Sequence, residues 1–147
     1  METYYRACAA PRSARKKGSG LAPRTKRPYV VVVVDDEPDF CTVVSELLKS
    51  QNLIVHAAYG ALEGLSLIQN VHPDLVLTDV MMPQVSGLEL IRRLRADPVL
   101  GRVPMIVVSA LVKCEEQAAA LSAGANAFIP KPFSIRQLRE TIAQYLH

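Results

Sequence analysis

Five polar residues are of types that could do phosphorus chemistry together: the adjacent Asp35 and Asp36, then Asp79, Ser109 and Lys131. Three carboxylates within a few ångström repel, so such a cluster must be neutralised or protonate. A hard divalent cation neutralises it. An all-oxygen set with few protein ligands suits Mg²⁺, which keeps several waters and readily adds a phosphate oxygen. A carboxylate can also act as a nucleophile and form an aspartyl phosphate. Phosphoryl transfer asks mainly for in-line placement and charge neutralisation, which a metal on one side and a lysine ammonium on the other supply. A serine hydroxyl can then hydrogen-bond a phosphoryl oxygen. Taken singly, each residue has a plainer explanation. An aspartate after a strand is more often a helix cap, and a serine there a turn residue. A lysine beside Pro132 is more often a solvated loop residue.

The elements that would carry these residues make joint placement the better account. Val30 to Val34 is an unbroken valine run, the pattern of a strand buried on both faces, and it ends at Asp35-Asp36-Glu37-Pro38. Pro38 suits a first helical turn, and the acids suit that helix's positive end, so Glu37 reads as a dipole-favourable residue rather than a ligand. Phe40, Val43, Val44, Leu47 and Leu48 then trace one apolar helical face. A short strand is expected near Leu53–Ala58 and a helix after Gly60. A third strand runs from Asp74 to Asp79, and a loop with Pro83 and Gly87 leads into a third helix. A fourth strand, Pro104–Ser109, precedes a helix near Glu115–Ser122 with Gly124 as its C-cap. A fifth strand, Ala127–Ile129, and a last helix with Ile135, Leu138 and Ile142 complete the pattern. Five strands alternating with five helices imply parallel βαβ units with helices on both faces. In such sheets the site lies beyond the carboxyl ends of the strands, where Asp35, Asp36, Asp79, Ser109 and Lys131 fall.

Composition narrows the classes. The chain has 147 residues, 50% hydrophobic and 21% charged, enough for one globular α/β domain. No apolar run approaches the ~20 residues of a membrane helix. The net charge of +3 is divided. Residues 1–27 hold eight bases and one acid, +7, whereas the remaining 120 hold nine bases and thirteen acids, −4. The leader, with Pro11, Gly18, Gly20 and Pro23, is expected to be disordered, and residues 28–147 to be the folded domain. Its bases could contact nucleic acid or an acidic surface weakly and nonspecifically; a solvated tail or a start codon placed too early are the bland alternatives. Cys8, Cys41 and Cys114 show no metal-ligand spacing and argue against a disulfide framework. Cys41 and Cys114 read as small packing residues.

The stretches Val-Val-Asp35-Asp36-Glu-Pro, Pro73-Asp-Leu-Val-Leu-Thr-Asp79-Val-Met-Met-Pro83, Gly87-Leu-Glu-Leu, Val-Val-Ser109-Ala, Ala123-Gly-Ala and Lys131-Pro132-Phe133 carry a resemblance. Residues 29–147 resemble the receiver domain of two-component response regulators, of the stand-alone, chemotaxis-regulator-like kind. The resemblance implies a flavodoxin-like doubly wound sheet in order 2-1-3-4-5. It implies Asp79 as phosphoacceptor, with Asp36 ligating Mg²⁺ directly, Asp35 through water and Met81 through its backbone carbonyl. It implies that Lys131 contacts the phosphoryl group, that Ser109 bonds it after activation, that Phe128 is the switch aromatic, and that the Lys131–Pro132 bond is cis. Some positions depart from the family pattern. Phe128 lacks a hydroxyl, Pro130 stiffens the loop before Lys131, Ser86 stands where the family often has aspartate, and Met81 and Leu111 flank the site with apolar side chains.

The function implied is a phosphoacceptor rather than an enzyme, one that assists its own phosphoryl transfer and dephosphorylation in the cytoplasm. A histidine kinase or phosphotransfer protein would be the donor. A downstream protein would read the face built by the fourth helix, fifth strand and fifth helix, with no attached DNA-binding domain. The alternative from the enzyme class is a Mg²⁺-dependent phosphohydrolase with an aspartyl-phosphate intermediate. Glu37 breaks the Asp-x-Asp spacing such hydrolases use, and no Gly-x-x-x-x-Gly-Lys supports nucleotide binding.

Overall fold

The computed structural model describes residues 27–49, 52–110 and 113–146. The expected leader lies outside the described residues apart from Arg27, whose guanidinium pairs with Asp74 at 3.1 Å. Leu111 also lies outside them.

The valine run forms β1 (Tyr29–Val34), an interior strand of a parallel five-stranded sheet with β2 (Leu53–Ala58), β3 (Leu75–Thr78), β4 (Met105–Ser109) and β5 (Ala127–Pro130). The order is β2-β1-β3-β4-β5, the doubly wound arrangement expected. The run is apolar throughout because successive residues serve opposite faces. Val32 and Val34 enter one core cluster with Ile68, Leu90, Leu94 and Phe128. Val31 and Val33 enter the other with Val44, Leu48, Leu138 and Ile142. The first cluster is covered by α2 (Ala61–Val71), α3 (Gly87–Arg95) and α4 (Cys114–Ala123), the second by α1 (Pro38–Leu48) and α5 (Ile135–Tyr145). Each buried valine contributes roughly 1.5–3 kcal/mol, so β1 anchors both layers.

The stripe on α1 is narrower than its periodicity predicts. Cys41, Val44 and Leu48 are buried, whereas Val43 is 53% exposed. The helix seats on the sheet along an i, i+3, i+7 line, which turns position 43 outward. Ser86, expected only as a departure from the family pattern, accepts a hydrogen bond from the Glu89 N–H at 3.3 Å and caps α3. Cys114 is disulfide-bonded, against the expectation of a packing thiol. It is the half-buried first residue of α4.

The end of the sheet opposite the acidic loops is held by one side chain. Arg95 donates to Gly101 O (2.9 Å), Val103 O (2.7 Å), Gly124 O (3.0 and 2.8 Å) and Asn126 Oδ1 (2.8 Å). It thus ties the end of α3 to the entry of β4 and to the turn between α4 and β5. Gly124 has φ +123°, and a Cβ there would stand 2.7 Å from Arg95 Cγ, so both the backbone and the clasp require glycine. Arg95→Ala takes this donor from three backbone carbonyls, while Asn126 Oδ1 keeps its hydrogen bond from the Met105 N–H at 2.8 Å, and is expected to lower stability on the order of 3 kcal/mol, read as a shift in the urea midpoint. A change within 0.5 kcal/mol, the range of an ordinary surface substitution, would contradict that role.

Candidate functional site

Ladder hydrogen bonds run past the strand ends and fix the loops that carry the acids. Asp35 N donates to Ala58 O (3.1 Å), Asp79 N to Val34 O (3.0 Å), and Lys131 N to Ser109 O (2.8 Å). Asp35 and Asp36 after β1, Asp79 after β3 and Lys131 after β5 therefore leave the sheet at fixed positions. One oxygen from each of the three aspartates lies within 4.8 Å of the others. The Asp35 carboxylate is buried; Asp36 is the most open of the three.

Lys131 closes the cluster. Its ammonium lies 2.9 Å from Asp35 Oδ2, 3.4 Å from Asp79 Oδ2 and 4.0 Å from Glu37 Oε1. Asp35 Oδ1 accepts from the Glu37 N–H at 3.0 Å. Asp79 Oδ1 accepts from Val80 N–H at 2.6 Å and more weakly from Met81 N–H at 3.4 Å. Asp79 Oδ1 is thus held by backbone, and Oδ2 faces the lysine. Burial raises the Asp35 carboxyl above its ordinary value, an effect that the hydrogen bonds from Lys131 and Glu37 only partly offset. Burial also works against the charge on Lys131. Its hydrogen bond to Asp35 and the negative charges of Asp79 and Asp35 outweigh that and hold it above the ordinary lysine value.

The donor set fits a hard divalent cation. Three carboxylates against one ammonium give the cluster a formal charge of −2, its carboxylate donors are all oxygen, and part of the cluster is buried. Asp35, Asp36 and Asp79 are the residues that would hold it.

Met81 stands in the loop after Asp79 with its side chain directed outward, 64% exposed. Ser109 ends β4 and is buried; its register partner in β5 is Pro130. Phe128, opposite Val107 in β5, is fully buried in the first core cluster. The Lys131–Pro132 peptide bond is cis.

Sequence reasoning missed three residues around the cluster. Phe40, expected only on the apolar face of α1, has its ring centroid 4.0 Å from Lys131 Nζ and meets Phe133 edge-on, centroids 6.0 Å apart at 89°. Gly87 was noted as a loop residue, yet a Cβ there would stand 1.9 Å from Asp79 O. Cys41 is buried, as a packing residue should be, and its thiol in addition donates to Asp35 O, 3.5 Å away, a contact its sequence context does not show. Burial first, and the Asp35 charge second, push that thiol up to about 11. Cys41 is therefore expected to resist iodoacetamide at pH 8 in the folded protein and to react on denaturation. Equal alkylation before and after denaturation, by mass mapping, would contradict that placement.

A crevice of carboxylates and a lysine at the carboxyl edge of a 2-1-3-4-5 sheet defines a phosphoacceptor class, and the chain belongs to the response regulator receiver domain family, which it matches over residues 31–143. Receiver domains are the phosphoacceptors of two-component signalling and bind Mg²⁺ at an acidic pocket. The polar-differentiation response regulator DivK of Brucella ovis is 33% identical over 116 residues, 79% of this chain and 94% of that protein. Response regulator MprA of a Mycobacterium species is 37% identical over 111 residues, 76% of this chain, and the chain spans only 47% of that relative's length. Among solved structures, the chemotaxis protein CheY4 of Vibrio cholerae is similar with a TM-score of 0.77 at 25% identity, covering 81% of this chain and 99% of that one. No helix among the described residues is long and apolar enough to cross a membrane.

Proposed function

We propose that Asp79 accepts a phosphoryl group from a phosphohistidine donor, a histidine kinase or phosphotransfer protein, and that the modified domain presents an altered face to a partner. The observation that carries this reading is the placement of Asp79 Oδ2 beside Lys131 Nζ, within a nest of three carboxylates. With Asp79 Oδ1 occupied by backbone N–H groups, Oδ2 is the oxygen we assign to attack phosphorus, forming an O–P bond as the P–N bond of the donor breaks. Lys131 meets the phosphoryl oxygens as their charge moves onto the domain. Asp36, Asp35 through water, Asp79 and the Met81 carbonyl are the groups that would hold Mg²⁺, which would supply charge neutralisation at the same place.

Ser109 then bonds the phosphoryl group, and Phe128 repacks in response. Phe128 is already interior, which supports a change of packing rather than a swing from solvent. The face formed by α4, β5 and α5 is the one we assign to the partner.

Incubation with Mg²⁺ and acetyl phosphate, read by intact mass, tests the proposal. A gain of one phosphoryl group that depends on Mg²⁺ is expected, and no gain under conditions that label another receiver domain would refute it. The lifetime of that product is a second expectation. Met81 carries no group able to orient an attacking water, so loss of the phosphoryl group is slow, and Met81→Gln, which restores a polar side chain there, speeds it severalfold. Equal decay of the two proteins after removal of the donor would contradict this.

A further inference from the structure

The geometry points to Phe40 as a positioning residue for Lys131: its ring is the fixed surface that keeps the ammonium over Asp79. This rests on the role proposed for Lys131 in phosphoryl transfer. A lysine ammonium is a compact charge on a flexible four-carbon stem, and the carboxylates draw it in different directions. Asp35 Oδ2, at 2.9 Å, is nearer than Asp79 Oδ2, at 3.4 Å, and Glu37 Oε1 stands at 4.0 Å on the solvent side. A fourth surface is needed to define one position.

The Phe40 ring provides it, with its centroid 4.0 Å from Nζ. The face of an aromatic ring attracts a cation without accepting a strong hydrogen bond, so all three N–H groups stay available to oxygens. It also adds no negative charge to a nest that already carries an excess. The ring itself is anchored. Phe40 lies in the first turn of α1, where its N–H donates to Glu37 O at 3.1 Å, and Phe133 meets it edge-on. Phe133 follows Lys131 by two residues, so the pair joins the loop that carries the acids to the loop that carries the lysine.

Two variants separate a ring effect from mere packing. Phe40→Met fills similar space with an adaptable apolar side chain and removes the π face, whereas Phe40→Tyr keeps it. In the full chain with Mg²⁺ and acetyl phosphate, Phe40→Met should slow phosphoryl uptake about fivefold and Phe40→Tyr should stay near the wild-type rate. NMR of the Mg²⁺-free protein gives a readout besides activity. The ε-methylene protons of Lys131 should be shifted upfield by the ring in the wild type and in Phe40→Tyr, and return to ordinary lysine values in Phe40→Met. Ordinary shifts in the wild type, or equal slowing by both variants, would overturn the inference. Failure of the wild type to label would instead refute the function proposed above, and the NMR result would still decide where the ammonium sits.

Discussion

Asp79→Asn leaves the fold intact and removes the phosphoryl gain, by more than about a hundredfold in rate. The substitution is nearly isosteric, and an amide oxygen can still accept from the Val80 N–H as Asp79 Oδ1 does at 2.6 Å. The atom facing Lys131 at 3.4 Å is what changes, from an anionic oxygen to an amide nitrogen or a neutral oxygen. Neither is a useful nucleophile toward phosphorus, and an amide nitrogen there would also present N–H groups to the ammonium. Intact mass after treatment with Mg²⁺ and acetyl phosphate decides the matter, with a far-ultraviolet dichroism spectrum to show that the variant is folded. Unchanged labelling of a folded Asp79→Asn protein would move the acceptor elsewhere.

Gly87→Ala is expected to be the most damaging single-methyl change near the site. A Cβ at position 87 would lie 1.9 Å from Asp79 O, 2.9 Å from Asp79 C and 3.0 Å from Val80 Cα. All three are backbone atoms, so no rotamer change relieves the overlap. The same backbone is held from both directions: Gly87 N donates to Val80 O at 2.9 Å, and Thr78 Oγ1 donates to Asp79 O at 2.9 Å. Either the start of α3 or the phosphoacceptor loop must move by about an ångström or more. Overpacking of this kind costs about 1–3 kcal/mol in a core that can adjust, and a backbone contact belongs at or above the top of that range. A fall in Tm together with slowed phosphoryl uptake is expected. A variant with wild-type Tm and wild-type uptake would show that the loop yields freely.

Much of the architecture was legible in advance because its causes are local. The valine run of β1 needed only its own composition to be read as a strand buried on both sides, and the structure divides it between two core clusters. Gly124 was readable as a C-cap because its sequence context ends a helix, and it adopts φ +123°. The capping spacing Ser86-Gly-Leu-Glu89 was equally local and was passed over. Periodicity overestimated the apolar face of α1. It reports which residues could be buried, whereas the rotation of the helix on the sheet decides that Cys41 goes in and Val43 stays out.

The sequence by itself determined which residues could do the chemistry and which strand ends would deliver them, since residue type and alternation of elements are properties of the chain. Only the tertiary structure decided how they meet. Lys131 and Asp35 are 96 positions apart and touch at 2.9 Å. The ring under the lysine, the methyl-free approach of Gly87 to Asp79, and the four acceptors gathered by Arg95 likewise depend on distances between separate elements. Such distances are set by how helices seat on a twisted sheet, a balance of packing over the whole core that no short window of sequence contains.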